Sequence, residues 1–368
     1  MKNLFGFVVF VSTLLLSGAI VISYFLSYIS PDIIGKLTLV CFAFPFLWIV
    51  GVLWCVACWV MRFWKTSFVI LAACILTWGG ISTVINIDFV SSHRNDGLKI
   101  MTYNMRGMLG RTNNGTKVAD LVEYIKKESP DIVCLQEMVM DGNPLLRDYG
   151  NSLKKAFKDY YILTDADVYG KQIGNIGQVM LSRYPLKKVD ADEVNKTNYM
   201  QKICIAAEVT IDDKKIVVYN CHLESIRLSP DERNSVKSVA VDAKDLKVSE
   251  TTKSNIKKTL SKTATAFLSR AKQTEQLKRY VDNSKYPVVV CGDFNDTSIS
   301  YTYQTLCSEL TDAFVVSGHG WGYTYNGELP LLRIDHILYS AGLSSDNYNI
   351  CDAELSDHYP VMCDIFFD

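Results

Sequence analysis

A carboxylate and an amide two positions apart, Asp293 and Asn295 in Gly292-Asp293-Phe294-Asn295, follow directly on the apolar run Pro287-Val288-Val289-Val290-Cys291. Alone, Gly-Asp-x-Asn reads as an ordinary turn after a strand. Here it has company, because Tyr103-Asn104, Gln136-Glu137, Asn220-Cys221-His222, Arg333-Ile334-Asp335-His336 and Ser356-Asp357-His358 each stand beside a segment that reads as a buried strand. Hydrolysis of a phosphate ester needs a hard divalent cation, a way to activate water, and hydrogen bonds or positive charge for a pentacoordinate phosphate. These residue types supply each part. Carboxylates and carboxamides suit Mg²⁺ or Mn²⁺, and magnesium keeps several waters while taking one or two protein carboxylates. Glu137, Asn104 and Asp357 are the candidate metal ligands.

Strands alternating with amphipathic helices from residue 98 onward are the mark of a layered α/β domain, and they are what must position these side chains. Strands are expected over 98–105, 132–135, 178–182, 203–211, 216–223, 334–339 and 359–367, with Asp212-Asp213-Lys214 as a hairpin turn. Val118, Leu121, Val122 and Ile125 recur at helical spacing, and Pro130 ends that helix. The polar residues fall repeatedly at the same relative place. One end of the sheet structure is therefore expected to gather them.

The first ninety residues are a different material. Segments 5–29, 37–61 and 68–87 contain no Asp, Glu, Lys or Arg apart from Arg and Lys at their flanks. Each is about the 20 residues needed to cross a hydrocarbon core of roughly 30 Å. They are expected to form three transmembrane helices, with Trp48, Trp54, Trp59, Trp64 and Trp78 in or beside them; a buried soluble bundle is the alternative. The resulting organisation is a membrane anchor over 1–90, a linker over 91–97 and a catalytic domain over 98–368. Lys2, Arg62 and Lys65 favour an inside N-terminus, opposed by Lys36 and Arg94; three crossings would then put the domain on the extracytoplasmic side of the cell membrane.

Seven cysteines lie beyond the apolar region, an odd number that cannot all pair within one chain. Cys134, Cys221 and Cys291 sit in strand-like runs as small hydrophobes, and the absence of a Cys-x-x-Cys pair in this part argues against zinc. A basic helical insertion spans 229–282. Ser229-Pro230-Asp231-Glu232 reads as a capping box, while Ile256, Leu260, Ala264, Phe267 and Ala271 form an apolar stripe. Its lysines and arginines read first as a solvated face, then as a contact for anionic lipid or a nucleic-acid backbone.

The ordered set Thr102-Tyr103-Asn104, Leu135-Gln136-Glu137, Leu181-Ser182-Arg183-Tyr184-Pro185, His222-Leu223-Glu224, Gly292-Asp293-Phe294-Asn295, Arg333-Ile334-Asp335-His336 and Ser356-Asp357-His358 resembles the endonuclease/exonuclease/phosphatase superfamily, which includes deoxyribonuclease I. The resemblance covers residues 98–368. It implies a four-layer α/β sandwich of the deoxyribonuclease I type, two sheets face to face with helices outside. It also implies roles: Glu137 as main metal carboxylate, Asn104 beside the metal or attacking water, Asp293 orienting or deprotonating that water, and Asn295 holding a phosphate oxygen. His358 would contact the phosphate, Asp335 would fix its tautomer, Asp357 would add negative charge near the metal, and His222 would be a second phosphate-facing histidine. Cys221-His222-Leu223-Glu224-Ser225 is similar to a segment of the tyrosyl-DNA phosphodiesterase branch.

Three other candidates read differently. His336 follows Asp335 in a strand, so alternation turns it away from the site. Arg183 reads as structural at a strand end, and His319 lies in a Gly-rich loop open to either role. The expectation is a membrane-anchored, divalent-metal-dependent phosphoesterase, with a surface-tethered nuclease or a non-catalytic membrane scaffold as alternatives. Its partners would be a phosphate-ester substrate (lipid headgroup, nucleic acid or small metabolite) and membrane lipid, with no obligate protein partner.

Overall fold

A computed structural model describes residues 2–87, 94–111, 114–139, 148–165, 176–189, 203–229, 231–232, 234–235, 250–327 and 331–368. Residues 91–93 of the expected linker and 236–249 of the insertion lie outside them. Two six-stranded sheets form the body. The first runs β13(Leu343–Ile350), β14(Val361–Phe367), β2(Leu98–Asn104), β3(Ile132–Val139), β5(Ile176–Ser182), β4(Tyr161–Thr164). The second runs β10(Thr311–Asp312), β12(Asp335–Tyr339), β9(Val288–Asp293), β8(Lys214–His222), β7(Cys204–Ile211), β6(Leu186–Val189). Each sheet has one parallel pair at its centre, β2 with β3 and β8 with β9, and antiparallel neighbours elsewhere.

The central strands carry almost unbroken apolar runs because both of their faces are covered. Ile100, Cys134, Met180, Val218, Val289, Cys291 and Ile337 fill the space between the sheets. On the outer face of the first sheet pack α6(Val118–Glu128) and α7(Asp148–Ala156), through Leu121, Ile125 and Leu153. Ser129, left-handed at φ 54°, and then Pro130 terminate α6 as the sequence predicts. On the second sheet's outer face, Leu277 and Val281 of the long helix Glu250–Asp282 join Tyr303 and Leu306 of Tyr301–Leu306. This is the expected helix, sheet, sheet, helix layering. The hairpin turn falls where predicted, between Ile211 and Lys214.

The N-terminal region departs from expectation. Two stretches, Leu4–Tyr28 of 25 residues and Pro31–Val60 of 30, are helical, long and apolar enough to cross a membrane. The third expected span does not form a continuous one. It breaks into Trp64–Leu76 and Trp78–Ser82, and its last part is the short strand β1(Ile85–Asn86). Thirteen residues rise only about 20 Å as a helix, short of a hydrocarbon core, so two stretches rather than the expected three are long enough to be candidate spans, with a broken third beside them. The soluble-bundle alternative fits poorly. Only 22% and 17% of the two apolar windows are buried, and Phe7, Leu15, Leu53, Val60, Phe68 and Ile75 stand exposed.

This helical region is docked on the sandwich by specific bonds. β1 pairs with β11(Gly320–Trp321), and Thr83 Oγ1 donates to Ser298 Oγ at 2.8 Å. Arg333 Nε donates to the Thr83 carbonyl at 2.9 Å, and the Phe42 and Phe267 rings lie 5.5 Å apart. Ile299 belongs to the same apolar cluster as Ile20, Phe44 and Ile81.

Candidate active site

The carboxyl ends of the two parallel pairs meet. Asn104 ends β2, Gln136 and Glu137 lie in β3, His222 ends β8 and Asp293 ends β9. Antiparallel β12 begins with Asp335 paired opposite Asp293, and the loop before β14 brings His358. Parallel pairing places neighbouring strand ends on one edge, which explains the repeated polar residues at matching positions.

Backbone irregularities aim the side chains. Pairing of β3 with β5 shifts between Leu135 and Met138, and Glu137 sits at φ 49°. Such a bulge re-aims a side chain that strict alternation would send the other way. Gln136 points between the sheets, donating to Asn220 Oδ1 at 2.7 Å and Thr102 Oγ1 at 2.9 Å. Glu137 nevertheless reaches the site. Gly292 has φ 136°, and a Cβ there would collide with the Cys221 carbonyl, so only glycine lets β9 run this close to β8.

Asp293 is buried and held at both oxygens. Asn104 Nδ2 donates to its Oδ2 at 2.8 Å, and the Asn295 backbone N–H donates to its Oδ1 at 2.7 Å. Two imidazoles flank it, with Nε2 of His222 and Nε2 of His358 each 3.8 Å from Oδ2. His358 Nδ1 lies 2.9 Å from Asp335 Oδ2, which also accepts from Thr324 Oγ1 at 2.6 Å. Burial opposes a charge on His358, but Asp335 and then Asp293 outweigh it and raise its pKa to about 10. The imidazole of this pair holds its proton.

His222 Nε2 is buried without a hydrogen-bond partner, although it approaches Glu137 Oε1 to 3.3 Å. An orphaned polar atom of this kind, aimed into a cleft beside a partly exposed carboxylate, calls for a ligand. On that side the partly exposed Glu137 carboxylate is a hard oxygen donor that could take a divalent cation. Among the described residues, ligand atoms of Asp293, Asp335 and His358 also lie within 4.8 Å of one another and could hold a metal ion. We favour the Glu137 side, since Asp335 and His358 already satisfy each other. Asn104 turns its amide nitrogen to Asp293 and, at 3.4 Å, to Glu137, while its oxygen accepts the Arg106 N–H at 2.8 Å. It acts here as a donor between the two carboxylates. Asp357 is engaged by Arg106 Nε at 3.0 Å.

The family model described as "Endonuclease/Exonuclease/phosphatase family" matches residues 101–358. The chain belongs to the endonuclease/exonuclease/phosphatase family. A second model, "Domain of unknown function (DUF8431)", matches residues 5–84. Solved structures similar in fold include a family protein from Bacteroides thetaiotaomicron, at 15% identity and TM-score 0.53 over 75% of this chain and 100% of that one. Another, from Bacteroides vulgatus, has 18% identity and TM-score 0.52 over 74% and 100%. The mannosyl-6-phosphatase of Bacteroides thetaiotaomicron has 15% identity and TM-score 0.51 over 73% and 100%. No curated protein matches the chain.

In this family member Asn104, Glu137, His222, Asp293, Asp335 and His358 come together at one edge, whereas Asp357 pairs with Arg106 and the side-chain nitrogen of Asn295 donates to the Leu223 carbonyl at 3.0 Å. His336 is a core residue. Its ring packs 4.9 Å from Phe294 and 5.3 Å from Tyr303, and burial lowers its pKa to about 3. Arg183 bonds Tyr160 and Ser129 away from the site. Sequence reasoning missed Arg106, Thr324 and Tyr325, whose ring lies 5.0 Å from that of His358. Arg106 stands two residues after Asn104, the one signal that was on offer; Thr324 and Tyr325 lie in a loop without periodicity.

Proposed function

We propose that the protein is a membrane-anchored phosphoesterase, dependent on Mg²⁺ or Mn²⁺, that hydrolyses a phosphate ester by in-line attack of water. The observation that carries this reading is the buried Asp335–His358 pair facing Asp293, with Glu137 and an unpartnered His222 nitrogen alongside. Glu137 would hold the cation, with the Asp357 carboxylate close by. The cation, when bound, supplies charge neutralisation on the phosphate and the leaving oxygen. Asp293, fixed by Asn104 and the Asn295 N–H, takes the proton of the attacking water. The water oxygen bonds to phosphorus as the bond to the leaving alcohol breaks. His358, held protonated by Asp335, donates to the phosphate, and His222 supplies a further donor.

Exposed apolar surface on the N-terminal helices supports anchoring in a membrane. The Phe5 and Phe63 rings meet at 5.7 Å, tilted by 59°, which brings the chain near residues 2, 62 and 65 to one end of the helical region, while the sandwich is docked at the other. With the broken third stretch carrying the chain from the Phe63 end to the Thr83 end, the positive-inside rule favours the extracytoplasmic side for the catalytic domain. No disulfide forms among the described cysteines, and most are buried as small hydrophobes.

The basic insertion gives the nuclease reading little support. Its capping box forms as the reciprocal Ser229–Glu232 bonds. Several of its cations are already matched: Arg270 is buried against Asp296, Lys262 pairs with Glu232, and Lys278 pairs with Asp282 and Glu309. The test is hydrolysis of bis(p-nitrophenyl) phosphate by the full-length protein in detergent, with Mg²⁺, Mn²⁺ or chelator. Metal-dependent turnover lost in His358→Ala is expected. Full turnover in that variant, or in chelator, overturns the assignment.

A further inference from the structure

An apolar cleft opens where the helical region meets the sandwich. It has about 490 Å³ of free space including its open mouth. Phe42 and Phe46, at the start of the second apolar stretch, form one wall; Val84, Ile299, Trp321 and Leu331 complete it. Phe46 and Leu331 are 64% and 52% exposed, so the mouth is lined by hydrocarbon that water does not favour. Its position is the end of the apolar helices nearest the catalytic domain, which in a bilayer is the headgroup level.

The same three segments that wall this cleft also carry the active site. Thr297 and Ser298 follow Asn295, and Arg333 precedes Asp335. Tyr323 precedes Thr324, the residue that bonds Asp335, and its ring lies 5.8 Å from that of Tyr359, the neighbour of His358. Trp321 and Tyr323 line a second, wider groove as well, with His319, Asp352 and Tyr359. An apolar slot thus adjoins a polar groove across two shared aromatic rings. Such amphipathic rings suit a boundary between hydrocarbon and water.

We propose that the substrate is a phosphate ester carrying a long hydrocarbon chain, whose part nearest the headgroup lies in this cleft while the remainder stays in the bilayer. This rests on the phosphoesterase reading above and names its substrate class. The cleft is the contact that favours a lipid over a nucleic acid or a sugar phosphate, because neither of those offers hydrocarbon to fill it. The His319 loop then borders the polar groove next to the headgroup.

The experiment uses the full-length protein in nanodiscs, with bis(p-nitrophenyl) phosphate, short-chain and long-chain phospholipids, and a phospholipid bearing a photo-crosslinking acyl chain. Leu331→Asn is the first variant, since Leu331 has φ 71°, a conformation asparagine tolerates; Phe46→Gln is the second. Each variant is expected to lower kcat/KM on the long-chain lipid by about tenfold, as loss of apolar contact does, with aryl ester turnover unchanged. Cross-links should fall on the segments around Phe46 and Leu331. Equal turnover of long and short chains, or cross-links elsewhere, overturns the cleft assignment. Cross-linking at the cleft without metal-dependent turnover of any ester instead removes the phosphoesterase reading and leaves a lipid-binding cleft.

Discussion

The two sheets share one pattern, a parallel pair flanked by antiparallel strands, yet they bring different chemistry to their common edge. The first contributes Asn104 and Glu137, and the Glu137 side chain is 30% exposed. The second contributes His222, Asp293 and Asp335, with Asp293 and Asp335 1% exposed. A cation that keeps its waters needs an accessible carboxylate, whereas an acid or base acts through a desolvated, fixed partner. On the function proposed above, the accessible carboxylate of the first sheet would hold the metal, and the buried carboxylates of the second, with His358 from the loop before β14, would move protons. Among the described residues, the second sheet is tied to the N-terminal helices through Ser298 and Arg333.

This division can be broken at its strongest point first. Asp293→Ala, on the proton side, is expected to lower kcat on bis(p-nitrophenyl) phosphate by about 10³-fold or more, with circular dichroism retained and no rescue by added metal. On the metal side, Glu137→Gln should raise the Mg²⁺ concentration for half-maximal rate by roughly 10- to 100-fold, read by metal titration. Rescue of both variants by metal, or of neither, would erase the distinction between the sheets.

Asp335→Asn sharpens the proton side through pH. Because, against the effect of burial, Asp335 joined by Asp293 raises the His358 pKa to about 10, activity that needs the imidazolium is retained up to that region and falls as pH rises through it. With the carboxylate gone, the falling limb should move toward the ordinary histidine value near 6.5. The matching stability contribution has the same sign: fully present below about pH 6.5, and lost as pH climbs to about 10. A pH–rate profile of the variant superimposable on the parent would remove Asp335 as the His358 partner.

The smallest effect tests the tie to the helices. Thr83→Val deletes one buried hydrogen-bonding hydroxyl and should destabilise the contact by about 1 kcal/mol. Hydrogen exchange should quicken at Thr297–Ile299, and remain unchanged around Thr102–Met105. Equal quickening at both places would mean that the helices brace the two sheets alike.

Strand ends carrying Asn104, Glu137, His222, Asp293 and His358 were legible in the sequence because a strand covered on both faces is a continuous apolar run, and its end is marked by the first polar residue. The helices were legible for a similar reason. Strand β13 was not foreseen, since Leu343–Ile350 mixes Ser, Asp and Asn with apolar residues and has no clean period. The third apolar stretch was overread: composition alone does not reveal that Thr77 interrupts the helix and that Ile85 and Asn86 pair with Gly320 and Trp321.

The chain by itself determined the family, the layering and which polar residues gather at one edge, because these follow from local period and from residue types that few other arrangements require. Tertiary structure alone decided how they divide. Glu137 reaches the cleft only through a bulge, and Asn104 becomes a donor only because the Arg106 N–H occupies its oxygen. The apolar cleft exists only because residues 41–46, 297–299, 321–323 and 331–333 meet across long stretches of sequence. Such contacts between distant segments leave no periodic trace in the sequence, since each residue's local surroundings look ordinary until the sheets and helices close around it.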